Sequence, residues 1–159
     1  MTDFNFEDII GRYFNLNLKK DNYRIYVEEA GQGTPLLCLH TAGSDGRQFR
    51  HILNDKRITN NYRVIVFDLP WHGKSNPPEG YELKDYKLTT DLYKEIIMSF
   101  CKQYKLIDPV IMGCSMGGRV VLHLALEHCD YFKAVIALEG SDKLEPYYDL
   151  DWLHRPDVH

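Results

Sequence analysis

Four short runs in this chain carry no polar side chain: Leu36-Leu37-Cys38-Leu39, Val64-Ile65-Val66-Phe67, Val110-Ile111-Met112 and Ala134-Val135-Ile136-Ala137-Leu138. A strand with one face in water alternates apolar and polar residues, so a strand that does not alternate must be covered on both faces. Four such runs predict the centre of a largely parallel sheet with helices above and below it. The segments between them supply helices. Residues 88–104 place Leu92, Ile96, Ile97, Phe100 and Cys101 at helical spacing, with Thr89 or Thr90 as a cap, and residues 118–128 repeat the pattern with Val120, Val121, Leu124, Ala125 and Leu126.

Ahead of this alternation lie two strand-like segments, 12–18 and 23–29, with a turn expected at Lys19-Lys20-Asp21-Asn22. Two glycines and a proline within residues 30–35 then force a tight connection. The fold class is therefore α/β: a mostly parallel sheet with antiparallel N-terminal strands and helices on both faces. With 159 residues and no repeat or linker, one core domain is expected.

The net charge of -4, without a cluster of Lys or Arg, argues against a nucleic-acid surface. No apolar stretch approaches the ~20 residues that cross a bilayer, and the start MTDFNFEDII is acidic where a secretion signal would be basic, so a cytoplasmic protein with no membrane partner is expected. Cys38, Cys101, Cys114 and Cys129 are far apart and form no CxxC pair, which reads as buried free thiols and no disulfide or zinc site.

Chemistry concentrates where the apolar runs end, the edge at which open α/β sheets place ligands. After Val110-Ile111-Met112 comes Gly113-Cys114-Ser115-Met116-Gly117, a G-x-S-x-G pattern lying between a buried strand and a helix. A serine lifted clear of the sheet on a sharp turn needs small residues two positions before and after it, because side chains there would strike the adjoining strand and helix. Ser115 is the candidate nucleophile. The N–H of Met116, at the helix start, faces a developing negative charge. Cys114 has Met112 and Met116 at the same spacing, so a thiol nucleophile would crowd the turn.

The loop His40-Thr41-Ala42-Gly43 follows the first apolar run. The N–H of Ala42, or that of Thr41, is the candidate second donor to an oxyanion, and the Thr41 hydroxyl is a candidate bond to a substrate oxygen. His40 reads as a packed residue beneath the loop that also borders the substrate site. The loop Phe67-Asp68-Leu69-Pro70-Trp71-His72-Gly73-Lys74-Ser75 follows the second run. Asp68 is expected to tie its backbone down, and Trp71 to wall the substrate pocket.

Together these three loops resemble the α/β-hydrolase superfamily in its esterase, lipase and carbon–carbon hydrolase branch. The family's oxyanion loop commonly begins His-Gly, where this chain has His40-Thr41, an opening also found in the hydroxynitrile lyase and methylesterase branch. Its next loop commonly reads Asp-x-x-Gly-x-Gly-x-Ser; Asp68, Gly73 and Ser75 match, and Trp71 stands at the first glycine. The resemblance implies a serine hydrolase acting through an acyl-enzyme, with no cofactor and no metal. A carbon–carbon hydrolase or lyase, and a non-catalytic ligand-binding homologue, are the alternatives.

In that family the triad order is nucleophile, acid, histidine. Only 44 residues follow Ser115, and the family's histidine lies farther on. His123 and His128 belong to the helix after the serine, while His154 and His159 fall in a terminal stretch, 141–159, where the family begins its cap. Glu139, closing the last apolar run, is the candidate acid. The run 134–138 is itself too apolar for an open sheet edge. The expectation is an N-terminal half, residues 1–140 of a hydrolase core, whose partner is the remaining C-terminal half.

Overall fold

The computed structural model describes residues 6–83 and 87–141. The stretch 142–159, expected to begin a cap and holding His154 and His159, lies outside the described residues.

Six strands form a single sheet: β1 (Ile10–Leu18), β2 (Asp21–Ala30), β3 (Thr34–Leu39), β4 (Tyr62–Phe67), β5 (Val110–Cys114) and β6 (Ala134–Leu138). Their order is β1-β2-β4-β3-β5-β6, with β1 and β2 antiparallel to their neighbours and the rest parallel. Among the described residues four helices accompany them, α1 (Arg50–Asn54), α2 (Lys56–Thr59), α3 (Thr90–Gln103) and α4 (Met116–Glu127), with 3₁₀ turns at Gly46–Phe49 and Tyr81–Leu83.

The alternating residues of β1 and β2 sort as their pattern dictates: Leu16, Leu18, Tyr23, Ile25 and Val27 are buried on one face. The turn between these strands is shorter than the sequence implied, because Asp21 and Asn22 pair across the ladder with Leu18 and Asn17. Two apolar layers sandwich the sheet. The larger packs Leu37, Ile65, Phe67 and Ile111 against Ile97 and Phe100 of α3 and Val121 and Leu124 of α4. The smaller packs Cys38, Val64, Val66 and Met112 against Phe49 and Leu53.

Thr89 caps α3, its hydroxyl accepting the Leu92 N–H at 3.2 Å. The helix after the serine begins at Met116, two residues earlier than its apolar pattern indicated, so the glycines lie inside its first turn.

One apolar run departs from expectation. The strand β6 is an edge among the described residues, and only Val135 and Ala137 pack on the main core. Ile136 and Leu138 on the other face stay 40% and 43% exposed. Among the described residues no helix is long and apolar enough to cross a membrane. The cysteines are free, with Cys38 and Cys101 buried, Cys114 half-buried and, contrary to expectation, Cys129 exposed.

Candidate active site

Because β3, β4, β5 and β6 are parallel, the loops after them converge on one end of the sheet. Residues Thr41, Ala42, Trp71, Ser115, Met116 and Glu139 all leave the sheet at that end. Ser115 connects β5 to α4 with φ +50 and ψ −109, a combination that a non-glycine residue adopts at a cost on the order of 1–3 kcal/mol. Two hydrogen bonds hold it there. Its N–H donates to the Leu138 carbonyl at 2.8 Å, and its own carbonyl accepts the Arg119 N–H at 2.8 Å, opening the helix. The side chain is exposed and caps nothing.

The flanking glycines make this turn possible. A Cβ on Gly113 would press into the Gly117 carbonyl of the helix start, and one on Gly117 would lie 2.5 Å from the Leu39 carbonyl oxygen of β3. A third contact was not evident in the sequence: Gly118 and Gly140 pass so closely that a Cβ on Gly118 would sit 2.6 Å from the Leu138 oxygen and 3.0 Å from Gly140 Cα. Thus β6 and the first turn of α4 interlock beneath Ser115. Glu139 emerges from this contact with φ +51 and an exposed side chain.

The oxyanion-loop candidates divide. The Thr41 N–H donates to the Gln48 side-chain oxygen at 2.9 Å, while the Ala42 amide has no acceptor among the described residues. His40 is fully buried, packed beneath the loop. Its Nδ1–H donates to the Thr41 carbonyl at 2.8 Å, and its Nε2 accepts the Leu69 N–H at 3.2 Å. That pair of bonds requires the neutral ring, and burial holds its pKa below the ordinary histidine value. Its role is to tie the loop after β3 to the loop after β4.

Asp68 anchors the latter loop as expected. Its buried carboxylate accepts the Gly46 and Lys74 N–H groups, each at 2.7 Å, and the Ser75 hydroxyl donates to its carbonyl at 2.7 Å. Trp71, at the position where a glycine was the common residue, has φ +70, and its ring meets Tyr81 edge-on at 5.2 Å. The tryptophan therefore occupies the left-handed conformation that explains a glycine preference.

A cavity of about 50 Å³ opens beside Met116, between the N-terminal turns of α3 and α4, with Tyr93 and Arg119 in its lining. A larger cavity of about 550 Å³ lies between residues 6–9 and α1–α2 and contains none of the loop residues above, so volume alone does not mark the site. Among the described histidines, none is hydrogen-bonded to the Ser115 hydroxyl. His123 and His128 lie in and at the end of α4, and the His123 Nε2 is buried without a hydrogen-bond partner.

Sequence reasoning missed the segment 45–59. Its helical turns are too short for periodicity, but the 3₁₀ turn and α2 open on the same signal: Asp45 accepts the Arg47 N–H and pairs with its guanidinium, as Asp55 does with Arg57. Gln48 was missed with it.

Comparison with known proteins agrees with this architecture. The profile of the alpha/beta hydrolase fold family matches residues 34–157. A pimeloyl-[acyl-carrier protein] methyl ester esterase of Vibrio vulnificus (strain YJ016) is 27% identical over 119 residues, which cover 75% of this chain and 42% of that protein. A magnesium-chelatase 30 kDa subunit of Rhodobacter capsulatus is 34% identical over 95 residues, 60% of this chain and 31% of that one. Among solved structures, a thermophilic esterase from Thermogutta terrifontis superposes with a TM-score of 0.72 at 21% identity, over 87% of this chain and 48% of its own. An epoxide hydrolase from Vigna radiata superposes with a TM-score of 0.68 at 21% identity, over 83% and 40%. The chain thus spans less than half the length of these relatives. With its six-stranded mixed sheet and its turn at Ser115 between β5 and α4, the chain belongs to the α/β-hydrolase fold family.

Proposed function

We propose that this chain carries the nucleophile and oxyanion site of a serine hydrolase acting on a carboxylic ester or related carbonyl compound. The observation that carries the reading is the backbone of Ser115: strained, exposed, and held between a strand end and a helix start by glycines that admit no Cβ. Such strain persists only where the surroundings over-determine it, and its effect here is to hold an alcohol clear of the sheet. Low-identity relatives that are esterases support the same class.

The Ser115 oxygen attacks the carbonyl carbon as its proton passes to a histidine. The oxyanion is held by the amides of Met116 and Ala42. The histidine returns the proton to the departing alcohol, and water then releases the acyl group from Ser115. The Thr41 hydroxyl takes a substrate oxygen, and Trp71 walls the pocket. The histidine comes from a C-terminal half outside the described residues, joined to this chain or complementing it, and Glu139 is placed at the end of β6 to orient it. The exposed apolar residues Ile136 and Leu138 support that pairing, since an open strand of this character favours association. No cofactor or metal enters this chemistry.

The test is labelling of the full-length hydrolase with a fluorophosphonate, followed by peptide mapping. The expected adduct is on Ser115 and is lost in Ser115→Ala. A folded protein that takes up no reagent would instead be a ligand-binding homologue.

A further inference from the structure

We infer that Gln48 is a positioning residue for the oxyanion site, holding the peptide that precedes Thr41 so that the Ala42 amide is delivered toward Ser115. This rests on the serine hydrolase reading above and concerns a residue outside all three motif loops.

Peptide planarity carries the argument. Among the described residues no peptide is cis, so in each unit the carbonyl and the N–H point to opposite sides. In the His40–Thr41 unit the carbonyl faces the helix start, its oxygen 3.0 Å from where a Cβ on Gly117 would stand. The N–H of the same unit points the other way and donates to Gln48 Oε1 at 2.9 Å. In the next unit the Thr41 carbonyl accepts the His40 Nδ1–H at 2.8 Å, which turns the Ala42 N–H away from the buried ring. Two successive peptides are thus fixed from opposite sides, one by His40 and one by Gln48. Beyond them the loop reaches Gly43, at φ +64 with open space where a Cβ would be.

Gln48 is itself held at its backbone. Its N–H donates to the Asp45 carbonyl at 3.1 Å, and Asp45 caps the turn by accepting the Arg47 N–H at 2.9 Å. The neighbouring Gly46 N–H is bonded to the buried Asp68 carboxylate at 2.7 Å, and Phe49 is buried in the smaller apolar layer. Gly46 must lack a side chain, because a Cβ would sit 2.9 Å from Val66 Cγ1 and 3.0 Å from Asp68 Oδ1. A continuous path therefore runs from the end of β4 through the 3₁₀ turn to the loop after β3. The Gln48 bond is exposed to solvent and contributes little to overall stability, so its loss leaves the fold intact.

Losing an oxyanion donor outright costs 10²–10³ in kcat, and a donor free to wander loses part of that, roughly tenfold. Two variants of the full-length hydrolase test the inference: Gln48→Met, which keeps length and removes the acceptor, and Gln48→Glu, which keeps an acceptor. Amide hydrogen exchange reads the clamp without reference to catalysis. Thr41 should exchange roughly tenfold faster in Gln48→Met and near the wild-type rate in Gln48→Glu. With p-nitrophenyl acetate, Gln48→Met should lower kcat roughly tenfold at unchanged KM and unchanged melting temperature. Inhibition by a trifluoromethyl ketone, whose adduct carries an oxyanion, should weaken in the same proportion. Unchanged Thr41 exchange in Gln48→Met overturns the inference, as does faster exchange with kcat intact. If the wild-type enzyme neither turns over the ester nor is labelled at Ser115, the serine hydrolase reading and this inference fall together. Failure of the Gln48 variants alone leaves Ser115 in its role.

Discussion

Replacing Gly117 by Ala adds one methyl group at the point where the turn at Ser115 touches the loop after β3. The new Cβ would lie 2.5 Å from the Leu39 oxygen, against the 3.4 Å at which ordinary van der Waals contact begins, and 3.0 Å from the His40 oxygen. Both obstacles are backbone, one at the end of β3 and the other at the start of the loop, so no side chain can swing aside. The two segments must separate by close to 1 Å. Overpacking of this kind costs about 1–3 kcal/mol. Alanine recovers up to ~1 kcal/mol of helix propensity, less in a first turn, so a net loss of about 1–2 kcal/mol is expected. For a chain of this size that lowers the melting temperature by roughly 2–8 °C. Function should suffer more than stability, because the same separation draws Ser115 from the Ala42 amide, and a misplacement on the order of 1 Å costs about 10²-fold. The assay pairs thermal unfolding with the rate of fluorophosphonate labelling. Gly80→Ala is the control, since Gly80 has φ +74 with no atom near its Cβ position, and it should lose stability from strain without slowing the labelling. A Gly117→Ala protein that labels at the wild-type rate would refute the steric account of the turn.

Acid should weaken the turn at Asp45 in a defined window. Hydrogen bonding to Arg47 is the main cause that lowers the Asp45 pKa from 3.8 to about 2, so its stabilising effect is complete above pH 4 and lost as pH falls toward 2. Urea unfolding of wild type and Asp45→Asn should show a stability gap at pH 7 that closes near pH 2; a gap that widens in acid contradicts this. The thiols should separate as sharply under a disulfide reagent. Burial pushes Cys38 and Cys101 to about 12, so both should stay unmodified until the protein unfolds, whereas exposed Cys129 reacts in the folded protein, slowed because its bond to Asp130 raises its pKa. Early modification of Cys38 would show that the sheet opens locally.

The sheet was legible because burial on two faces erases alternation, and Leu36–Leu39, Val64–Phe67 and Val110–Met112 have none. The same rule overstated β6, since α4 covers Val135 and Ala137 while Ile136 and Leu138 remain uncovered among the described residues. Ser115 was legible from its glycines, whose absent side chains are a local requirement that a local pattern can express. His40 was only half legible. Its position at a strand end was plain, but its two hydrogen bonds join loops 29 residues apart, and spacing within one loop cannot show a bond to another. Gln48 was invisible for the same reason: an exposed glutamine in a short 3₁₀ turn carries no periodic signal, and only the fold brings it to Thr41. Trp71 shows a further gap: it stands where the resembled family's first glycine is usual, but its left-handed backbone, at φ +70, is seen only in the structure.

A crystal structure of the protein after reaction with a fluorophosphonate tests the central claim most directly. The account predicts phosphorus bonded to the Ser115 oxygen, with the phosphoryl oxygen accepting hydrogen bonds from the amides of Met116 and Ala42 at about 2.7–3.1 Å. A phosphoryl oxygen turned away from both amides, or an adduct on another residue, would contradict it.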